Sequence, residues 1–117
     1  MTTLLLVVNR GPYDGSDVVW NALRLAATAL AEGMQVWLFL INDGVDLARE
    51  GVTQEGAEFD LQSMLADLIE QGATVRLCQT CLTRCGIGKG ETMPQAQIAG
   101  MKDLVAWVRD SGKVLSF

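Results

Sequence analysis

The chain has no histidine. That removes a Ser-His-Asp triad, a Cys-His nucleophile pair and any imidazole metal ligand from within its 117 residues. A thiol in this protein must be activated by arginine, lysine, a backbone dipole or a carboxylate. No apolar run approaches the roughly 20 residues of a membrane helix, and the burst over 36–41 is only strand-sized. Basic residues are also few, nine against fourteen acids, for a net charge of −5. That balance argues against nonspecific binding to nucleic acid or to an anionic membrane surface. The first eight residues carry no basic leader and read as a strand, not as a signal peptide.

What is present is concentrated. All three cysteines fall in the eight-residue stretch Cys78-Gln79-Thr80-Cys81-Leu82-Thr83-Arg84-Cys85. An odd cysteine count without a leader points to a reducing cytoplasm, where clustered thiols are more often catalytic, redox-active or metal-bound than structural. Residues 71–90 hold no acid but contain Arg76, Arg84 and Lys89. This locally positive segment is expected to lower a thiol pKa and to hold an anionic sulfur species, with Arg76 and Arg84 as stabilisers.

Half of the residues are apolar, which suits one globular domain over 1–117. Thr3–Val8 is a continuous apolar run, as in a strand buried on both faces. The breaker-rich turn 9–15 leads into a helix over 17–32, with Ser16 or Asp14 as cap and Gly33 as stop. Residues 35–41 form the second strand and 42–45 its exit. Residues 46–57 read as a mobile loop with at most one helical turn. Leu61, Met64, Leu65, Leu68 and Ile69 share one face of a helix over 59–71. Thr74–Cys78 is the third strand, so Cys78 stands at a strand end, with Cys81 and Cys85 in the loop or first helical turn beyond it. Gly86 to Gly90 reads as flexible. Thr92, Pro94 and Gln95 fit a capping box for a last helix, whose inner face is Ile98, Met101, Val105 and Val108. Residues 114–117 make a short closing strand. The alternation specifies an α/β fold: a flavodoxin-like parallel sheet of four to five strands with helices on both faces.

In such sheets ligands bind outside the C-terminal strand ends. Tyr13 and Asp14 from the first loop, and Asn42 and Asp43 from the second strand exit, are therefore expected to line a pocket with the cysteines. The loop 11–15 matches neither common phosphate-binding glycine pattern and reads as a turn feeding a helix cap. Trp20, Trp37 and Trp107 lie on apolar elements and read as core or subunit-interface anchors. The cysteines leave several readings open. Structural zinc or an iron–sulfur cluster wants four ligands, which one chain does not contain; a metal site would need ligands shared between chains of an oligomer, and none is expected. C-x-x-C is a weak match to a dithiol redox motif. Inert burial as small hydrophobes is a further reading, above all for Cys85.

Taken together, the opening strand with its Pro-Tyr-Asp-Gly-Ser turn, the long Ala/Leu helix, the Asn-Asp-Gly-Val strand exit, Val-Arg-Leu-Cys78-x-x-Cys81 and the closing Val-Leu-Ser-Phe resemble the DsrE/DsrF-like proteins of intracellular sulfur relay, including TusD-type and YchN-like members. The resemblance covers most of the chain. It implies a flavodoxin-like subunit that assembles as a trimer or hexamer, without metal or organic cofactor. It also implies a functional cysteine at Cys78 carrying sulfane sulfur as a persulfide between donor and acceptor proteins. Many YchN-like members also carry the second cysteine, here Cys81, whereas Cys85 departs from the pattern. The competing expectation is a thiol-disulfide oxidoreductase or redox sensor cycling Cys78 and Cys81. A third is a regulatory or structural oligomer with inert thiols.

Overall fold

The computed structural model describes residues 2–117 except 53 and 89. Lys89, counted above with the positive segment, lies outside the described residues. Among the described residues there are five strands: β1 Thr3–Val8, β2 Gln35–Leu40, β3 Thr74–Cys78, β4 Gln97–Ala99 and β5 Lys113–Ser116. Four α-helices join them: α1 Val18–Ala31, α2 Leu61–Glu70, α3 Gln79–Arg84 and α4 Met101–Asp110. The sheet order is β4-β3-β2-β1-β5, and every pairing is parallel. This is the flavodoxin-like α/β architecture that the strand-helix alternation predicts.

The order decides which face each helix covers. β1 to β4 step across the sheet in one direction, so right-handed crossovers put α1, α2 and α3 on one face. The chain then returns from β4 to the opposite edge to form β5, which puts α4 on the other face. Side chains obey the two-residue period of the strands. Leu4, Leu6 and Val8 register with Val36, Leu38 and Leu40 and are buried on the α1 side. Trp37 and Phe39 point the other way and meet Trp107 of α4, with Trp37 and Trp107 stacked at 5.0 Å.

Local chemistry sets the helix ends. Asp60 caps α2 by accepting from the Ser63 amide at 3.1 Å, and Gly33 and Gly72 follow α1 and α2 at positive φ. Asp14 is not the α1 cap: its carboxylate turns back to accept from the Ser16 amide and hydroxyl. Ser16 Oγ in turn accepts from the Val18 amide at 3.4 Å, but Ser16 is not the cap either: the N-cap is Asp17, whose side chain makes no cap hydrogen bond.

Three expectations need correction. The strand exit at 42–45 and the start of the loop expected over 46–57, where the sequence suggests at most one helical turn, together form a 3-10 helix, Asn42–Ala48, with Val45, Leu47 and Ala48 buried. Its Gly44 lies so close to β1 that a Cβ there would stand 2.1 Å from the Val8 carbonyl oxygen. Thr92 does not cap the last helix. It is buried and bridges Arg49, and β4 intervenes before α4 begins at Met101. The acid that opens α4 is Asp103, which accepts from the Gly100 amide at 2.8 Å. Finally, Ile98, Met101, Val105 and Val108 are not the inner face: they are exposed, and Trp107 is the buried residue of α4. Burying the indole against Trp37 and Phe39 removes more apolar surface from water than burying the valines would.

Candidate functional site

The cysteines occupy the carboxyl edge of the sheet. Cys78 is the last residue of β3 and registers with Ala99, the last of β4. From these neighbouring strand ends the chain departs to opposite faces, through α3 from one and α4 from the other. Such a divergence opens the crevice in which doubly wound sheets bind ligands. The register thus places Cys78 at the switch point of the sheet, a more specific position than a strand end.

Cys78 is also the N-cap of α3, and its sulfur accepts from the Cys81 amide at 3.4 Å. Cys78 is 4% exposed, Cys81 is half-buried and Cys85 is exposed, and all three are free thiols. The inert-burial reading of Cys85 is therefore corrected: Cys85 closes α3 at its outer end, its amide donating to the Cys81 carbonyl at 3.0 Å. Burial, followed by a side-chain hydrogen bond with Cys81, pushes the Cys78 thiol pKa up. Desolvation disfavours the anion, and among the described residues no cation reaches Cys78 to offset it, so the lowered pKa expected from local positive charge is not what burial produces here.

Neither arginine of the segment serves Cys78. Arg76 shares its strand face by alternation, but its guanidinium lies 4.3 Å over the Trp107 ring and its Nε donates to Gln97 Oε1 at 3.4 Å. Arg84 is exposed in the last turn of α3, next to Cys85 and at the end opposite Cys78.

The second strand exit supplies what the cysteine segment lacks. The Asn42 backbone amide donates to Cys81 Sγ at 3.2 Å. Asn42 holds φ at +54°, and among the described residues it is the one non-glycine at positive φ. Its side-chain amide donates to Asn9 Oδ1 at 3.2 Å, and Asn9 Nδ2 donates to Ser116 Oγ at 2.9 Å. A line of hydrogen bonds therefore ties Cys81 through the ends of β2 and β1 to β5. Sequence reading named Asn42 as a pocket-lining residue of the strand exit and missed its amide. Asparagine at a strand exit, a residue that tolerates the left-handed conformation, was the available signal.

Tyr13, Asp14 and Asp43 do come together. They line a depression of about 480 Å³ with Asn9, Arg10 and Asp46. No cysteine lines it; Asn42 lies between it and Cys81. Arg10 pairs with Asp14 at 2.8 Å. The Tyr13 hydroxyl accepts from the Leu61 amide and donates to the Phe59 carbonyl, so it braces the start of α2. Asp14 from the loop after β1 and Asp43 and Asp46 from the 3-10 helix thus gather around one depression, which no residue of the acid-free segment lines.

Among the described residues no helix is long and apolar enough to cross a membrane. The DsrE/DsrF-like family model matches residues 3–117. An uncharacterised protein of Methanopyrus kandleri is 38% identical over 114 residues, covering 97% of this chain and 93% of its own. Protein YchN of Escherichia coli K12 is 34% identical over 120 residues, with both chains covered in full. The crystal structure of the Escherichia coli ychN protein superposes with a TM-score of 0.89 at 33% identity over the whole of both chains. A structure from Methanobacterium thermoautotrophicum, at 12% identity and TM-score 0.80, shares the fold. The chain belongs to the DsrE/DsrF-like family.

Proposed function

We propose that the chain is a sulfur-relay protein: Cys78 receives sulfane sulfur from a donor protein, holds it as a persulfide and passes it to the cysteine of an acceptor. The observation that carries this reading is the placement of Cys78 at the switch point of the sheet, with its sulfur in hydrogen-bond contact with Cys81. Family membership supports it. Arg76 and Arg84 have no part in stabilising the Cys78 sulfur. The polar contacts available there are the Cys81 amide to Cys78 and the Asn42 amide to Cys81. The residues bring no metal and no organic cofactor into the scheme. The working form is a cytoplasmic homo-oligomer, a trimer or hexamer. The apolar stripe Met101, Val105 and Val108, exposed by 57%, 61% and 47%, offers surface for such contacts.

A second reading is favoured by the same thiol pair. Cys81 attacking the inner sulfur of a Cys78 persulfide would release sulfide and leave a Cys78–Cys81 disulfide, as a dithiol oxidoreductase would use. Intact mass distinguishes the two. Incubation of the reduced protein with a polysulfide donor should add one sulfur, about +32 Da, that fragment mapping places mainly on Cys78, and the Cys78→Ser variant should retain far less, confined to Cys81 and Cys85. A product at about −2 Da that requires both Cys78 and Cys81 would replace relay by dithiol redox chemistry.

A further inference from the structure

The three thiols are graded by depth along one short helix. Cys78 is buried at its start, Cys81 half-buried in its first turn, and Cys85 exposed at its end. The Cys85 amide bonds the Cys81 carbonyl, so Cys85 stands one full turn above Cys81 on the same side of α3. Helical side chains lean toward the preceding turn, so the Cys85 side chain is directed back over the turn that carries Cys81. We propose that Cys85 is the exchange thiol of the protein, and that sulfane sulfur leaves buried Cys78 through Cys81 to Cys85 before it meets an acceptor protein. This rests on the sulfur-relay reading above and extends it.

The spacing selects the chemistry. Residues four apart on a helix hold their Cβ atoms about 5–6 Å apart. A disulfide needs about 3.5–4.5 Å. Cys81 and Cys85 are therefore too far apart to close a direct bond without unwinding α3. One intervening sulfur, adding a bond of about 2.0 Å, spans the difference. The pair can thus hand over a sulfur atom while the competing disulfide is sterically discouraged.

Each step is a redox-neutral displacement. The Cys81 thiolate attacks the outer sulfur of the protonated Cys78 persulfide. A new S–S bond forms, the old one breaks, and Cys78 leaves as a thiolate. Cys78 then takes up a proton equivalent to the one Cys81 gave up. The same exchange carries the sulfur from Cys81 to Cys85, and from Cys85 to the acceptor thiol. The Asn42 amide, 3.2 Å from Cys81 Sγ, holds the middle sulfur in place and faces the negative charge that develops on it.

The test compares wild type with Cys85→Ser and Cys85→Ala, each loaded with inorganic polysulfide. Sulfur is then drawn off by cyanide, a small acceptor, or by the free thiol of serum albumin, a bulky one. Cyanide should strip all three proteins at rates within about twofold, whereas transfer to albumin should fall at least about tenfold in both variants. Peptide mass mapping should find the retained sulfur on Cys78 and Cys81. Albumin transfer at the wild-type rate would overturn the role of Cys85 and leave the relay reading intact. A Cys81–Cys85 disulfide in the folded, oxidised protein would also overturn it. Absence of any one-sulfur adduct on the wild type would overturn the relay reading itself, and this inference with it.

Discussion

The amide of Asn42 and the sulfur of Cys81 are joined across 3.2 Å, although 39 positions separate them in the chain. The bond exists because Asn42 turns left-handed, at φ +54°, where β2 gives way to the 3-10 helix. That conformation costs most side-chain-bearing residues about 1–2 kcal/mol and glycine almost nothing.

Substitution at Asn42 should therefore separate backbone from side chain. Asn42→Gly keeps the amide in place, and mass-resolved alkylation of Cys81 should stay near the wild-type rate. Asn42→Ala strains the turn, with an expected loss of about 1 kcal/mol, a Tm drop of several degrees and an altered Cys81 rate. Equal stability of the two variants would show that the left-handed turn does not hold the thiol.

Cys78 sets a pH dependence with a definite sign. Its folded-state pKa is raised, first by burial and then by Cys81, so the folded state favours the neutral thiol. Its contribution to stability is whole below the unfolded-state value of about 8.5 and is lost as pH rises through the higher folded-state value. Urea midpoints of wild type and Cys78→Ser, measured at neutral pH and on the alkaline side, should converge as pH rises. A gap that stays constant would contradict the shift. At neutral pH the alkylation order should be Cys85, then Cys81, then Cys78, following exposure.

Trp107 holds α4 on the sheet. It stacks on Trp37 with an interplanar angle of 15° and carries the Arg76 guanidinium on its ring. Trp107→Ala should cost about 3–5 kcal/mol, read as a lowered urea midpoint. Arg76→Met should lower stability modestly and leave the alkylation rate of Cys78 unchanged. Faster or slower Cys78 chemistry in that variant would return Arg76 to the thiol site.

Gly44 tests the docking of the 3-10 helix. An added methyl meets the Val8 carbonyl oxygen at 2.1 Å, a backbone atom that cannot swing aside. Gly44→Ala should destabilise by at least the upper part of the usual overpacking range, about 1–3 kcal/mol. Because the same helix begins at Asn42, Cys81 alkylation should change with it. An unperturbed melting curve would disprove the close approach.

The exposed stripe on α4 bears on assembly. Val105→Glu places a charge at the centre of Met101, Val105 and Val108 and should shift native mass toward the monomer. An unchanged oligomer would move the contact surface elsewhere.

Most of the sheet was legible because its strands are dense apolar runs and its first two long helices repeat on the helical period. Thr3–Val8, Thr74–Cys78 and the helix cores need little beyond the neighbouring residues to declare themselves. β4 was not legible: three residues are too few for a two-residue period to stand out. Its pairing is with β3, at a distance in sequence that no local pattern records. The apparent capping box at Thr92 was a good local match that lost to the bridge with Arg49. The rotation of α4 was likewise hidden, since the choice between burying Trp107 and burying the valines depends on Trp37 and Phe39 across the sheet.

The sequence alone determined the alternating α/β order, the absence of imidazole chemistry and the gathering of every thiol between Cys78 and Cys85, because these depend on composition and short-range pattern. Tertiary structure decided the rest. It set which thiol is buried and which exposed, drew Arg76 away onto Trp107, brought Asp14, Asp43 and Asp46 to the same edge, and aimed the Asn42 amide at Cys81. Those outcomes follow from strand order and register, which place residues tens of positions apart in contact and set the desolvation and hydrogen bonding that govern thiol chemistry.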